Sequence, residues 1–552
     1  MATAPDPEPA REGNEAGIGS LSTRARRAAS EWLLAAYRRA SGWRGTAPLV
    51  LGVFTVGYFA ATCHLAALKP FSFDELTTFN IARSPSLADV WAVWSESTDG
   101  MPPLAHLTTH VVGSALGFSH VTARLPSMVG FWFACVCIFI FLSRRSGTIL
   151  ATLGMILPLT TPVGYSYAYE ARGYGMVLGF SGAAMLCWDL ARDTRWRPVA
   201  LVGLPLCLAG AIATHLYAVL LVVPLGLGEL ARTMERRRVD WWVWFGLAIV
   251  GLLLLPVNPV VARIAGLKEL AIRSHRVGLS DLAEVWQQFL STAATYFGLL
   301  ALSYLCLKRR AVGDDLPAPL AARAEPSLAD ATFVLGLLML PAIGWVFANL
   351  VTGVLLFRYV IAAVIGFSLA VPLICRAAVA RRPEVALLML GWVAVIAAEN
   401  HLAVRNTMQM TTLTTPQIAA GYGCFRLFKI WQQLPENDLP IVVSDFYVFH
   451  ALHHYAPEAL RRRLVFVVDH EFGGLIEPYM PYYAKVFGEH MERLEAFTKG
   501  QRSFYLYDCG TGRQPLRERL QNSGASVSDA GLGETADIGL RVDLARVTLP
   551  GS

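Results

Sequence analysis

The sequence predicts a polytopic α-helical membrane protein of about eleven spans, followed by a small C-terminal extracytoplasmic α/β domain. Three observations carry this. Of 552 residues, 54% are hydrophobic and only 16% charged, whereas soluble globular chains carry about 25% charged residues. Apolar runs of spanning length recur from residue 48 to about 402 and lack the alternation of a barrel strand. From about residue 403 the composition becomes that of a soluble domain.

Residues 1–47 are polar and basic, with Arg24, Arg26, Arg27, Arg38, Arg39 and Arg44, and lack a short apolar core with a cleavage site. They read as a disordered cytoplasmic leader. The spans fall at roughly 48–68, 121–142, 149–167, 172–190, two within 199–228, 241–258, 286–307, 331–349, 354–375 and 384–402. Between them lie five basic clusters, marked by Arg144 and Arg145, by Arg192, Arg195 and Arg197, by Arg232 with Arg236 to Arg238, by Lys308 to Arg310, and by Arg376, Arg381 and Arg382. All five share the leader's side only if 199–228 crosses twice, as two short helices meeting near Ala211 to Thr214. The net charge of +6 therefore reflects topology, and nucleic acid is not an expected partner.

The expected location is the bacterial inner membrane, with the N-terminus cytoplasmic and 48–402 embedded in the bilayer. Two loops then lie outside, 69–120 and 259–285. Within the first, 104–118 (LAHLTTHVVGSALGF) suits a helix lying on the membrane surface better than a span. The second carries Arg263, Lys268, Arg273, His275 and Arg276, a basic stretch suited to an anionic lipid headgroup. The domain 403–552 reads strand–helix–strand over 440–469, with a strand at SFYLYD, a helix over 515–523 and a terminal strand or hairpin. Cys424 and Cys509 could pair there in an oxidising compartment.

Chemistry concentrates at span ends on the outer side. Asp74 and Glu75 follow the first span in KPFSFDELTTFN, and Glu170 and Arg172 open another in YSYAYEARGYGMVL. His215 interrupts the apolar stretch AIATHLYAVLL, and Arg358 and Tyr359 begin the long span near 354–375. Each has a bland reading: interfacial anchoring for the tyrosines, packing for the histidine, snorkelling for Arg358. Together they describe carboxylates at one end of a site on which arginines converge. A carboxylate can deprotonate a hydroxyl, and arginines can hold a departing phosphate. The histidines are dispersed, and HALHH at 450–454 reads as part of a helix, so no metal site is expected. A weakly held divalent cation at Asp74 and Glu75 is the alternative.

In four segments the chain resembles GT-C type glycosyltransferases, the broad group related to protein O-mannosyltransferases and the lipid A aminoarabinose transferase. These are the acidic pair at 74–75, PPLAHLTTHVVGSALG with ARLPSMVG over 102–130, YAYEARGYGMVLGFSGAAML over 167–186, and FRYVIAAVIG over 357–366. The resemblance implies a polyprenyl-phosphate-linked monosaccharide donor, a non-cytoplasmic site and inverting transfer to a glycolipid, polysaccharide or protein. Asp74 would be the catalytic carboxylate, with Glu75 supporting it or contacting the acceptor. Arg358 would lie near the lipid phosphate, Glu170 and Arg172 would shape the cavity, and His215 falls where relatives often carry a histidine followed closely by an aromatic residue. Met101 departs from the pattern, since relatives often place Lys or His before the Pro-Pro pair, so either an arginine of 263–276 substitutes or the donor sits differently. The alternatives are a transporter or flippase of a lipid-linked anion and a non-catalytic protein whose α/β domain binds envelope components; no internal repeat supports the transporter.

Overall fold

The computed structural model describes residues 28–39, 45–96, 99–250, 277–306, 326–381, 383–409, 437–469, 477–510, 515–535 and 541–550. The helices used below are α1 (Thr46–Leu68), α2 (Phe73–Ala82), α3 (Leu104–Leu116), α4 (His120–Ser146), α5 (Tyr174–Leu190), α6 (Arg197–Thr214), α7 (Val222–Arg236), α8 (Leu328–Leu338), α9 (Ala363–Arg381), α10 (Pro383–Gln409) and α11 (Phe446–Tyr455). The first ten, with shorter helical pieces, form a helical bundle; the last belongs to an α/β domain.

Five described helices are long and apolar enough to cross a bilayer, or six if the bent pair Leu328–Leu338 and Leu340–Thr352 counts as one span. Several other apolar helices, such as Tyr174–Leu190, are shorter than a full crossing. The stretch 199–228 does divide into two candidate spans, Arg197–Thr214 and Leu216–Arg236, and the break falls at His215. Of the expected span 241–258, only the helix Trp241–Ala248 and the two residues after it are described. The segment 104–118 forms the 13-residue helix α3, too short to cross. Within the leader, read from the sequence as disordered, residues 28–39 are helical. Leu33 and Tyr37, one turn apart, pack on the bundle core while Trp32, Arg38 and Arg39 stay exposed.

Helix α4 is the spine of the bundle, and small residues let α5 lie directly against it. A Cβ on Gly130 would sit 2.5 Å from the Gly175 carbonyl oxygen, and one on Gly175 would sit 2.2 Å from that of Ser127. Backbone contact of this kind is how helices pack tightly where lipid offers no hydrophobic driving force. It brings the start of α5, with Arg172 just before it, next to the start of α4.

The C-terminal domain is a six-stranded sheet in the order β3-β2-β1-β4-β6-β5, where β1 to β6 are Ile441–Val443, Leu464–Val468, Met491–Arg493, Ser503–Gly510, Ser526–Thr535 and Arg541–Thr548. The first four strands are parallel, and β5 and β6 form an antiparallel hairpin at one edge. Ile441, Val443, Phe466 and Tyr507 pack on α11, while Val442, Val467, Phe504 and Leu506 cover the other face with Phe497 and Leu520. Burial on both faces explains why the parallel strands read as unbroken apolar runs. Helix α11 in turn rests on the start of α2: Phe73 meets Phe446, Tyr447 and His450 at ring distances of 4.9 to 5.5 Å.

Candidate active site at the domain junction

Helix α2 begins with a capping box. Ser72 Oγ accepts from the Glu75 N–H, and the Ser72 N–H donates to Glu75 Oε2 at 3.0 Å. This fixes the phase of the helix. Successive residues on a helix point about 100° apart, so Asp74 and Glu75 face different surroundings.

Glu75 is fully buried and saturated with donors. Arg124 from α4 forks onto it through Nε at 2.7 Å and Nη2 at 3.0 Å, Lys69 Nζ lies at 3.4 Å, and the Ala171 N–H donates at 2.8 Å. Burial alone would raise this carboxyl; the facing Arg124 and Lys69 outweigh it and hold Glu75 well below the usual carboxylate range. Arg124 also donates to the Ala66, Lys69 and Pro70 carbonyls at 2.6 to 3.0 Å, closing the chain end of α1 onto α4.

A second pair lies beside it. Arg172 forks onto Asp99 at 2.6 and 3.0 Å, and its Nη1 also reaches Thr78 Oγ1 and the Asp74 carbonyl at 3.1 and 3.2 Å. Asp99 takes a further bond from the Met101 N–H at 3.1 Å and lies 3.1 Å from His106 Nε2 of α3. Burial would raise Asp99, but Arg172 and His106 override it, and the group stays ionised far into acid. Met101 thus enters the site through its backbone, as part of the turn that Asp99 holds.

What these pairs leave over is Asp74. Its carboxylate is partly exposed and, among the described residues, accepts no hydrogen bond and joins no ion pair. Its charge nevertheless acts on Glu170, Arg172 and Arg358 and on the phenols of Tyr167, Tyr174 and Tyr359, so these groups lie within electrostatic reach of one carboxylate. Glu170 is half-buried, and burial raises its carboxyl to about 7, with Lys69 opposing and Glu75 and Asp74 adding to the rise. Arg358 lies near Tyr167, and its Nε is buried without a partner among the described residues. That leaves guanidinium valence for a ligand.

His215 caps the short helix that restarts the chain after α6. The Tyr217 N–H donates to its Nδ1 at 3.3 Å, which puts the proton of the neutral ring on Nε2. The ring sits among Tyr174, Tyr217 and Tyr359 at 5.0 to 6.0 Å, and Tyr217 in turn bonds Thr352 and the Val354 carbonyl. Thus Asp74, Glu170, Arg172, His215, Arg358 and Tyr359 converge. Glu75 is nearby but committed to Arg124, and Arg273 and Arg276 lie outside the described residues, as does Cys424. Sequence reasoning missed Asp99, His106 and Arg124. Arg124 carried a signal, a charge on an otherwise apolar span, whereas an Asp before Gly in a loop reads as an ordinary turn.

No protein-family model matches the chain, and no curated protein matches it. Among solved structures, ArnT from Cupriavidus metallidurans in the apo state aligns with a TM-score of 0.51 at 15% identity, covering 91% of this chain and 98% of that one. The same protein bound to undecaprenyl phosphate aligns at a TM-score of 0.43 and 15% identity over 89% and 97%. The apo comparison shows the fold: bundle and α/β domain together share the arrangement of that structure over nearly the whole length of both chains.

Proposed function

We propose that this protein is a membrane glycosyltransferase that moves a monosaccharide from a polyprenyl-phosphate donor to a hydroxyl or amine of an envelope acceptor. The observation that carries the proposal is the state of Asp74: a carboxylate without a hydrogen-bond partner among the described residues, beside two carboxylates that are fully committed, with Arg358 in its field.

Asp74 takes the acceptor's proton as its oxygen or nitrogen attacks the anomeric carbon. The bond from that carbon to the phosphate oxygen breaks, and its electron pair leaves with the lipid phosphate. Phosphate is a good leaving group and needs no acid catalyst; Arg358 compensates the charge that develops on it. A single displacement inverts the anomeric centre. Arg172 acts by holding the Asp74 backbone while bound to Asp99, and Glu75 fixes the start of α2 through Arg124. Arg273 and Arg276 are proposed as further donor contacts from their basic loop.

The site lies at the end of the bundle that carries the α/β domain. The basic residues Arg145, Arg192 and Arg197 gather at the other end, joined through Asp189, Asp330 and Asp240. This supports an inner-membrane orientation with the leader and basic clusters cytoplasmic and the site with residues 403–552 outside. Asp74→Asn tests the proposal in cells whose own copy of the gene is replaced. Mass spectrometry of envelope glycans and lipids should show one monosaccharide lost, while the variant accumulates in the membrane at wild-type level. Wild-type modification by the variant overturns the assignment.

A further inference from the structure

The stretch that delivers Asp74 is tied to the C-terminal domain by a specific chain of hydrogen bonds. Tyr455, the last residue of α11, accepts the Phe71 N–H on its hydroxyl oxygen at 2.7 Å, and the same oxygen lies 3.1 Å from Nε2 of His120, the first residue of α4. Three segments therefore meet at one phenol: the end of α11, the start of α4, and the turn three residues before Asp74.

A backbone N–H can only donate, so Phe71 uses one lone pair of the Tyr455 oxygen. Towards His120 Nε2 the same hydroxyl donates or accepts according to the ring's tautomer. Aromatic packing holds the same register. The Phe71 ring lies 4.4 Å from His120, 4.8 Å from Phe79 and 6.0 Å from His454 of α11, with the Arg124 guanidinium 4.9 Å over its face. On the other side of Ser72, Phe73 is held by the first turn of α11.

We infer that Tyr455 and His120 are positioning residues: through the Phe71 N–H they set the turn from which Asp74 enters the site, which makes the α/β domain a working part of the catalytic machinery. Neither touches the reacting atoms. Only the consequence for turnover rests on the glycosyltransferase reading; the relay itself does not.

Tyr455→Phe removes the hydroxyl and keeps the ring, and the full-length variant in detergent should unfold at the wild-type temperature. Hydrogen exchange of the peptide spanning 69–76 should then quicken about tenfold through local opening, with no change elsewhere in the sheet or bundle. In cells, the sugar modification should fall about tenfold, while binding of undecaprenyl phosphate to the purified variant stays unchanged. That split between carrier binding and transfer is what general damage would not give. Unchanged exchange at 69–76 overturns the relay, and faster exchange with undiminished modification overturns its role in positioning Asp74. Loss of carrier binding in step with modification also overturns it, by pointing to general damage. If deleting the gene removed no monosaccharide from the envelope, the glycosyltransferase reading would fail, and an active Asp74→Asn variant would remove Asp74 from the chemistry; either leaves the exchange result standing.

Discussion

Each end of the bundle holds a buried network of arginines and carboxylates, and the two networks are finished differently. At the end away from the α/β domain, Arg145 binds Asp330 at 2.7 Å and Asp189 at 2.6 Å, Arg192 joins both acids, and Glu229 pairs with Arg232 and the Trp188 indole. Every one of those carboxylates has a cation. At the junction end Arg124 and Arg172 consume Glu75 and Asp99 in the same bidentate manner, but among the described residues Asp74 and Glu170 join no ion pair. A guanidinium nitrogen without a hydrogen-bond partner occurs at both ends, Nε of Arg358 here and Nε and Nη2 of Arg232 there, so the carboxylates are what set the two apart. Buried charge in a membrane protein normally finds its partner. The closed end uses its charges to fasten α4, α5, α7 and α8 to one another, whereas the open end has valences suited to a substrate.

Equivalent substitutions separate the two kinds of carboxylate. Glu75→Gln leaves Arg124 and Lys69 facing a neutral amide, and removing one partner from a buried pair costs about 3–5 kcal/mol. Arg145→Leu strands Asp189 and Asp330 at the closed end and belongs in the same range. Thermal unfolding in detergent should show both as large losses, and the surviving folded Arg145→Leu protein should still modify the envelope. Asp74→Asn, one residue from Glu75, should shift unfolding by less than about 0.5 kcal/mol, as substitutions free of buried partners do. Equal destabilisation at Asp74 and Glu75 would erase the distinction.

A smaller effect is expected at Arg358. Arg358→Lys keeps the positive charge and loses the planar fork, so undecaprenyl phosphate should bind about tenfold more weakly to the purified variant, about 1.4 kcal/mol. The unfolding temperature should stay put. If binding is unchanged, Arg358 is a snorkelling residue and the phosphate sits elsewhere.

How far this contrast could be read from the sequence depends on distance along the chain. The membrane class followed from composition, and the parallel core of the α/β domain followed from IVV and LVFVV, whose burial on both faces removes any alternation. Asp74, Glu170, Arg172 and Arg358 were legible because ionisable residues at span ends are scarce and need a reason. Their partners were not: Arg172 finds Asp99 from 73 positions away and Arg124 finds Glu75 from 49, and no local pattern encodes such pairings. Glu75 is the instructive case. Read as half of an acidic pair it looked catalytic, although Ser72 and Glu75 spell the S-x-x-E of a capping box, which already assigned that carboxylate to the helix start. The span count was hard for a related reason. Broken segments such as Leu328–Leu338 with Leu340–Thr352, bent by 51°, and helices shorter than a crossing do not each yield one hydropathy peak.

The subtlest way to sharpen the comparison is pH. Burial raises Glu170 to about 7, whereas Glu75 and Asp99 are held low by their arginines. Folded Glu170 therefore binds its proton more tightly than the unfolded chain, whose carboxyl titrates near 4.5. Between those values the native state holds more protons, so this group's contribution to stability falls as pH rises through about 7. The paired acids have the opposite sign, with stability present above their unfolded pKa and lost only in acid, so they add no slope from pH 5 to 8. Each pKa unit corresponds to about 1.4 kcal/mol, and partial exposure of Glu170 reduces the total to about 1–2 kcal/mol. Unfolding temperatures measured from pH 5 to 8 should decline for the wild-type protein and decline less for Glu170→Gln. An identical decline in both would place Glu170 among the satisfied carboxylates and leave Asp74 as the sole open acid at the junction among the described residues.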